Sequence, residues 1–114
     1  MKESKTQDKD FEIVQKAKKG DFTAFEKLVL KYERVIYSSV VRLTQNHQDA
    51  EDVVQQTFLS VIDSIKNFRE ESSFYTWLMR IAIDHALKIL RKKKGLPTVP
   101  YQSQEEAKGY DTIR

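Results

Sequence analysis

The stretch from Asp21 to Lys94 contains neither glycine nor proline, although the 114-residue chain has three glycines and two prolines. Both residue types interrupt helices and supply most tight turns, so their absence over this length favours long helices and opposes a β fold with many turns. Within the stretch, apolar residues recur every three or four positions, the spacing that places side chains on one side of a helix. The sequence therefore predicts an all-α fold.

The expected architecture is a compact bundle of three long helices preceded by a short N-terminal helix. The predicted helices cover, in chain order, Asp10–Lys19, Phe22–Leu43, Gln48–Asn67 and Phe74–Lys94. Asp21, Asn46 and Ser73 are expected to cap the three long helices, because their side chains can accept hydrogen bonds from backbone amides of the first turn. The short connections make neighbouring helices roughly antiparallel.

One domain is expected over residues 10–94, with a flexible leader over 1–9 and a linker or disordered tail over 95–114. A chain of this length fits a single domain, which usually spans about 100–150 residues. The tail holds both prolines and two of the three glycines. This composition is typical of a linker and not of a packed element.

Composition and motifs exclude several classes of protein. The chain has no cysteine, which rules out disulfides and cysteine-based zinc sites. No segment has the apolar length of a signal peptide or of a membrane span, so we expect a cytoplasmic protein with no membrane partner. No catalytic, nucleotide-binding or metal-ligand motif occurs, and a binding module without cofactor or metal is therefore expected in place of an enzyme.

Charges of opposite sign occupy consecutive parts of the chain. Residues 43–65 contain four acidic residues and no lysine or arginine, whereas residues 66–94 contain eight basic and three acidic residues. The net charge of the whole chain is only +3, so the average conceals this segregation. The pattern indicates two partners of opposite charge, or one self-complementary surface.

The predicted third helix has a polar side opposite its buried side. On a helical wheel the polar side carries Asp52, Gln55, Gln56, Leu59 and Asp63. One large apolar residue surrounded by acidic and amide groups is typical of a protein-contact site. A solvated helix face with one exposed leucine is the alternative interpretation.

Basic and aromatic residues are interleaved before and along the predicted fourth helix. The wheel places on one stripe Trp77, Arg80, Asp84, Lys88 and Arg91, and the charge continues through Lys92, Lys93 and Lys94. Just upstream lie Phe68, Arg69, Phe74 and Tyr75. Basic side chains at this density suit phosphate contacts, and rings beside arginine can stack on unpaired bases. Core packing of the rings, with a basic helix end that complements the helix dipole, is the alternative.

Three segments that follow one another over roughly residues 10–94 carry a specific pattern. They are KKGDFTAFEKLVLKY, DAEDVVQQTFLSVIDSIKNF and SFYTWLMRIAIDHALKILRKK. This pattern resembles region 2 of bacterial RNA polymerase sigma factors of the extracytoplasmic-function (ECF) group. The motif DAEDVVQQTF together with FYTWLMRIA is far more specific than any single short motif. The resemblance implies a helical domain that binds core RNA polymerase and recognises and melts the promoter −10 element in transcription initiation.

The resemblance also implies which residues carry each activity. The residues that would bind the clamp helices of the largest catalytic subunit of core RNA polymerase are Asp49, Asp52, Gln55, Gln56, Leu59 and Ile62. Those that would bind −10 promoter DNA are Phe68, Arg69, Ser72, Ser73, Phe74, Trp77, Arg80, Asp84, Lys88, Arg91 and Lys92. An anti-sigma factor is a further candidate partner. Two alternative functions stay open: a helical regulator that binds polymerase without initiating transcription, and a module that binds nucleic acid nonspecifically.

Two positions depart from the family pattern. Gln56 stands where members usually have glutamate, which removes one charge from the polymerase-binding side, and Asp84 stands where asparagine is common. A carboxylate on a DNA-facing stripe repels phosphate but can accept a hydrogen bond from the amino group of cytosine. The promoter preference is therefore expected to differ from that of relatives.

Overall fold

The computed structural model describes residues 9–95, and the predicted leader over 1–9 and tail over 95–114 lie outside them apart from Lys9 and Gly95. Over residues 9–95 the chain forms four α-helices and no strand, so the predicted all-α fold is confirmed. The helices are α1 (Phe11–Lys18), α2 (Phe22–Thr44), α3 (His47–Ser64) and α4 (Phe74–Lys93). None of these four helices is long and apolar enough to cross a membrane.

The three long helices begin within one residue of the predicted starts, and each has a side-chain cap. Asp21, Asn46 and Ser73 accept hydrogen bonds from the backbone amides three positions further along, at 3.1, 2.8 and 3.1 Å respectively. Each bond satisfies an amide that the start of a helix leaves without an intrahelical partner. At its other end α3 is shorter than predicted, because the chain tightens into a 3-10 helix over Ile65–Asn67.

The hydrophobic core lies where α2, α3 and α4 meet. In α2 the buried positions repeat every four residues, at Ala24, Leu28, Tyr32, Ile36, Val40 and Thr44. Phe22 and Leu43 continue the apolar spacing of every three or four residues, but they fall beside this line and are exposed. Opposite α2, the fully buried side chains include Val53 and Val61 of α3 and Ile81 of α4. The domain therefore has one core that all three long helices share.

The short helix α1 is attached to α2 through a buried carboxylate. Asp10 immediately precedes α1, and its carboxylate accepts hydrogen bonds from Lys31 Nζ at 2.6 Å and from the Tyr32 hydroxyl. A buried charge is costly unless it is paired, and these two groups supply a counter-charge and a donor. Val14 and Ala17 bury the apolar side of α1. The helix α1 is therefore a fixed part of the domain.

Candidate protein and nucleic-acid interfaces

The acid–amide face of α3 consists of five exposed side chains, namely Asp52, Gln55, Gln56, Leu59 and Ile62. Leu59 is 55% exposed and Ile62 is 47% exposed, while the opposite side of α3 packs against α2 and α4. The exposure that helical periodicity predicts for this side is thus confirmed. Two large apolar side chains among acidic and amide groups form the kind of patch that another protein covers.

A row of aromatic rings joins α2 to α3. The ring of Phe58, one turn before Ile62, meets Phe25 edge-on with ring centroids 6.5 Å apart, and Phe25 lies 6.1 Å from Phe22. Phe22 is 63% exposed. Sequence reasoning missed the exposure of Phe22, because three-residue spacing is as typical of a core stripe as of an exposed edge. Phe58 is buried, so the ring contacts between α2 and α3 run through the core, and Phe22 is the exposed end of the row.

Asp49 has a partner inside the domain. Its carboxylate lies 2.6 Å from Nζ of Lys93, and this ion pair joins the start of α3 to the end of α4. The Asp49 side chain is mostly covered, whereas Asp52 is exposed. The resemblance implies that Asp49 binds polymerase, and in this structure its charge is compensated by Lys93. Asp49 therefore holds the start of α3 against the end of α4 through this ion pair.

The basic stripe of α4 consists of Arg80, Asp84, Lys88 and Arg91, with Lys92 beside it. Arg91 and Lys92 are exposed, and the other three side chains are partly exposed. Asp84 Oδ2 lies 3.6 Å from Lys88 Nζ, one helical turn further along. This pair offsets much of the repulsion that the Asp84 carboxylate exerts on a phosphate. The stripe therefore presents net positive charge even though it contains a carboxylate.

Three of the aromatic rings predicted to contact DNA lie in the core. Phe68, Phe74 and Trp77 are buried, and Trp77 is only 1% exposed. The rings of Phe68 and Trp77 are stacked with centroids 4.7 Å apart, and Phe74 lies 5.8 Å from Trp77. The expectation that Trp77 shares an exposed stripe with Arg80 is wrong, because this ring fills the space beneath the loop that precedes α4. Tyr75 is the exposed ring of this region.

The loop over residues 68–73, hereafter the recognition loop, places polar groups at the surface. Arg69 is exposed, and its Nε lies 3.9 Å from a carboxylate oxygen of Glu71. The hydroxyl of Ser72 donates to the backbone carbonyl of Ser73 at 3.2 Å, while the Ser73 hydroxyl caps α4. Arg69 and Ser72 are therefore the predicted DNA-binding side chains of this loop that a ligand reaches most directly. Ser73 contributes through the start of α4.

Comparison with known proteins gives a family match over this whole region. The profile of the family described as Sigma-70 region 2 matches residues 28–95. The chain belongs to this family. The match includes the acid–amide face, the recognition loop and the basic stripe, and it begins within α2, after α1 has ended.

Relatives of this Sigma-70 region 2 domain are named sigma factors. The chain is 38% identical over 106 residues to the RNA polymerase sigma-H factor of Pseudomonas aeruginosa, a match that covers 93% of the chain and 55% of that protein. It is 36% identical to the ECF RNA polymerase sigma-E factor of Haemophilus influenzae over 90% of the chain and 53% of the relative. It is 34% identical to the ECF RNA polymerase sigma-E factor of Escherichia coli K12 over 88% of the chain and 52% of that protein. The chain spans about half the length of these relatives.

A half-buried histidine lies between the two candidate interfaces of this region 2 domain. Nε2 of His85 on α4 and the hydroxyl of Ser60 on α3 are 2.9 Å apart and share a hydrogen bond. Burial lowers the pKa of His85, the positive charge of Lys88 lowers it further, and Asp84 acts in the opposite direction. Over residues 9–95 no three histidine, aspartate or glutamate side chains are placed to hold a metal ion. His85 is thus a neutral link between α3 and α4.

Acidification is expected to destabilise the domain through His85. In the unfolded chain this histidine takes up a proton near its ordinary pKa of 6.5, whereas the folded domain resists protonation. The unfolded state therefore binds more protons below that pH, and the free energy of unfolding falls as the pH drops from 6.5 towards the lowered pKa. Chemical denaturation at a series of pH values measures how the free energy of unfolding depends on pH. This dependence should be shallower for His85→Gln than for the wild type. Equal slopes in the two proteins would contradict the prediction.

Proposed function

We propose that this domain binds core RNA polymerase through the acid–amide face and captures the opened promoter −10 element with the recognition loop and the basic stripe. The clamp helices of the largest catalytic subunit are the proposed polymerase contact. The main support for this proposal is that one domain presents an exposed apolar and acid–amide surface on α3 and a separate cationic surface on α4. Since the two surfaces lie on different helices, one domain can hold both partners at once.

The polymerase half of the proposal is supported by the composition of the acid–amide face. Leu59 and Ile62 supply apolar area that is unfavourable in water, and the surrounding amides and Asp52 supply directional contacts. Interfaces of this kind take their affinity from a few central side chains and their selectivity from the polar rim. The relatives are named RNA polymerase sigma factors, and this supports the partner class proposed here.

The promoter half is supported by polar groups in the recognition loop, before the start of α4, and by basic side chains at the end of α4. Arg91 and Lys92 are exposed and suited to the phosphate backbone, which carries most of the affinity but no sequence information. Arg69 and Ser72 in the recognition loop can form hydrogen bonds with the edge of an unpaired base. A base removed from its stack costs a few kcal/mol, which contacts in a protein site must offset. Phe68, Phe74 and Trp77 serve this site by supporting the loop from below.

The proposal is tested by assembling the domain, core RNA polymerase and single-stranded DNA. Fluorescence anisotropy of labelled non-template strands measures whether the domain and polymerase together bind −10 sequences more tightly than scrambled strands. Sequence-selective binding that requires both proteins supports the proposal. Equal binding of all strands by the domain alone identifies a nonspecific nucleic-acid module. Polymerase binding without any DNA binding identifies a regulator that does not initiate transcription.

Neutralising the exposed basic end of α4 is expected to weaken DNA binding uniformly across sequences. In Arg91→Gln/Lys92→Gln the salt dependence of the logarithm of the binding constant should become shallower by about 1.4, since each lost phosphate contact on a single strand contributes roughly 0.7. The affinity at moderate salt should fall roughly tenfold. The control Lys27→Gln removes an exposed charge from α2 and should leave the slope unchanged. A slope equal to that of the wild type would show that Arg91 and Lys92 do not contact DNA phosphates.

A further inference from the structure

The recognition loop has side chains that alternate between inward and outward positions. Phe68 is buried and the Glu70 side chain is 13% exposed, whereas Arg69 and Glu71 are exposed. Glu70 adopts a φ angle of 60°, a left-handed backbone conformation that residues other than glycine adopt infrequently. A short loop keeps such a conformation when contacts elsewhere hold it there. The backbone of Glu70 is therefore expected to depend on contacts from outside the loop.

Two side chains of α1 hold the inward side of the loop. The carboxylate oxygen Oε2 of Glu70 accepts hydrogen bonds from Gln15 Nε2 at 2.6 Å and from Lys18 Nζ at 2.7 Å. The Lys18 ammonium group also donates to the backbone carbonyl of Phe68 at 2.7 Å and lies 5.8 Å from the centroid of the Phe68 ring. Lys18 thus contacts the loop at the Phe68 carbonyl and at the Glu70 carboxylate, and Gln15 contacts the same carboxylate.

These contacts differ from an ordinary surface ion pair. The side chains of Lys18 and Glu70 are only 21% and 13% exposed, so water and salt screen their attraction less than at an open surface. The partners are 52 residues apart in the chain, and α1 is itself fixed to α2 through Asp10. The contacts therefore connect the loop to a helix that is itself packed against the rest of the domain.

We propose that Lys18 and Gln15 are positioning residues for recognition of the −10 element, a proposal that rests on the function proposed above. By holding Glu70 and the Phe68 carbonyl, they orient Arg69 and Ser72 towards the base before DNA arrives. A loop that is ordered in advance loses less conformational entropy on binding, and it accepts fewer base geometries. The proposal predicts that residues on α1 control base selectivity without contacting the base.

Base selectivity is measured with a pool of single-stranded DNA that has a randomised −10 segment, captured by the full chain together with core RNA polymerase. Lys18→Met and Glu70→Gln should reduce the enrichment of the preferred base over the others by about tenfold, with polymerase affinity unchanged. Lys18→Arg keeps a positive donor and should restore the wild-type enrichment. The matched controls Lys19→Met and Glu12→Gln change exposed charges of the same sign and should behave as the wild type. Wild-type enrichment in Lys18→Met would overturn the proposal.

The order of the loop is measured separately, without DNA or polymerase. Backbone amide order parameters from NMR for residues 69–72 should fall from about 0.85 to below about 0.6 in Lys18→Met and Glu70→Gln, and stay high in the two controls. An unchanged loop would overturn the proposal whatever the DNA result. A loosened loop with unchanged base selectivity would show that the contacts are structural only. Failure of the wild-type chain to bind any −10 strand with polymerase would instead reject the proposed function.

Discussion

Asp52→Arg is expected to lower the affinity of the domain for core RNA polymerase by about 100-fold or more, because charge reversal in the centre of a protein interface costs several kcal/mol. Asp52 is the exposed carboxylate of the acid–amide face and lies on the same side of α3 as Leu59. The substitution places a long cation where the partner presents groups that complement an acid. It removes no packing from the domain, so folding should be unaffected.

The measurement is co-elution of the domain with core RNA polymerase, followed by titration to obtain the dissociation constant. Leu59→Ala provides an independent test of the same face and should weaken binding at least tenfold if Leu59 is a central apolar contact. Glu33→Arg is the matched control, since it reverses an exposed carboxylate on α2. Wild-type affinity in Asp52→Arg, together with an unchanged thermal melt, would show that polymerase binds elsewhere.

Trp77→Ala is expected to destabilise the domain by about 3–5 kcal/mol, the usual cost of truncating a large buried ring. Trp77 packs against the rings of Phe68 and Phe74 directly beneath the recognition loop. Small domains are stable by only about 5–15 kcal/mol in total. The substitution should therefore remove a large share of the total stability, and the variant should unfold at a much lower denaturant concentration than the wild type.

Chemical denaturation monitored by circular dichroism measures the loss of stability in Trp77→Ala. Two further variants separate an effect on stability from an effect on DNA recognition. Trp77→Phe keeps a ring and removes an indole N–H that is buried without a hydrogen-bond partner among residues 9–95, so its cost should stay below about 1.5 kcal/mol. Tyr75→Ala truncates the neighbouring exposed ring and should cost about 1 kcal/mol or less. A fully stable Trp77→Ala protein that has lost DNA binding would contradict the assignment of Trp77 to the core.

Local signals in the sequence were sufficient for the helices, their caps and the acid–amide face. Asp21, Asn46 and Ser73 cap helices by bonding amides three positions away, so nothing distant in the chain was needed to predict them. The exposure of Gln55 and Leu59 likewise follows from the 100° turn of a helix once its buried side is known. The family motif lies in the same consecutive residues, and the family match confirms it.

Only the tertiary structure decided which rings are inside and which charges are paired. Periodicity could not separate Trp77 from the basic stripe of α4, because a large aromatic beside basic residues fits a core and a base-stacking surface equally well. The pairs Asp49–Lys93 and Lys18–Glu70 join residues that are far apart in the chain, and no local pattern specifies such partners. The physical reason is that capping and amphipathicity depend on neighbours within one helical turn, whereas burial and ion pairing depend on how whole helices pack.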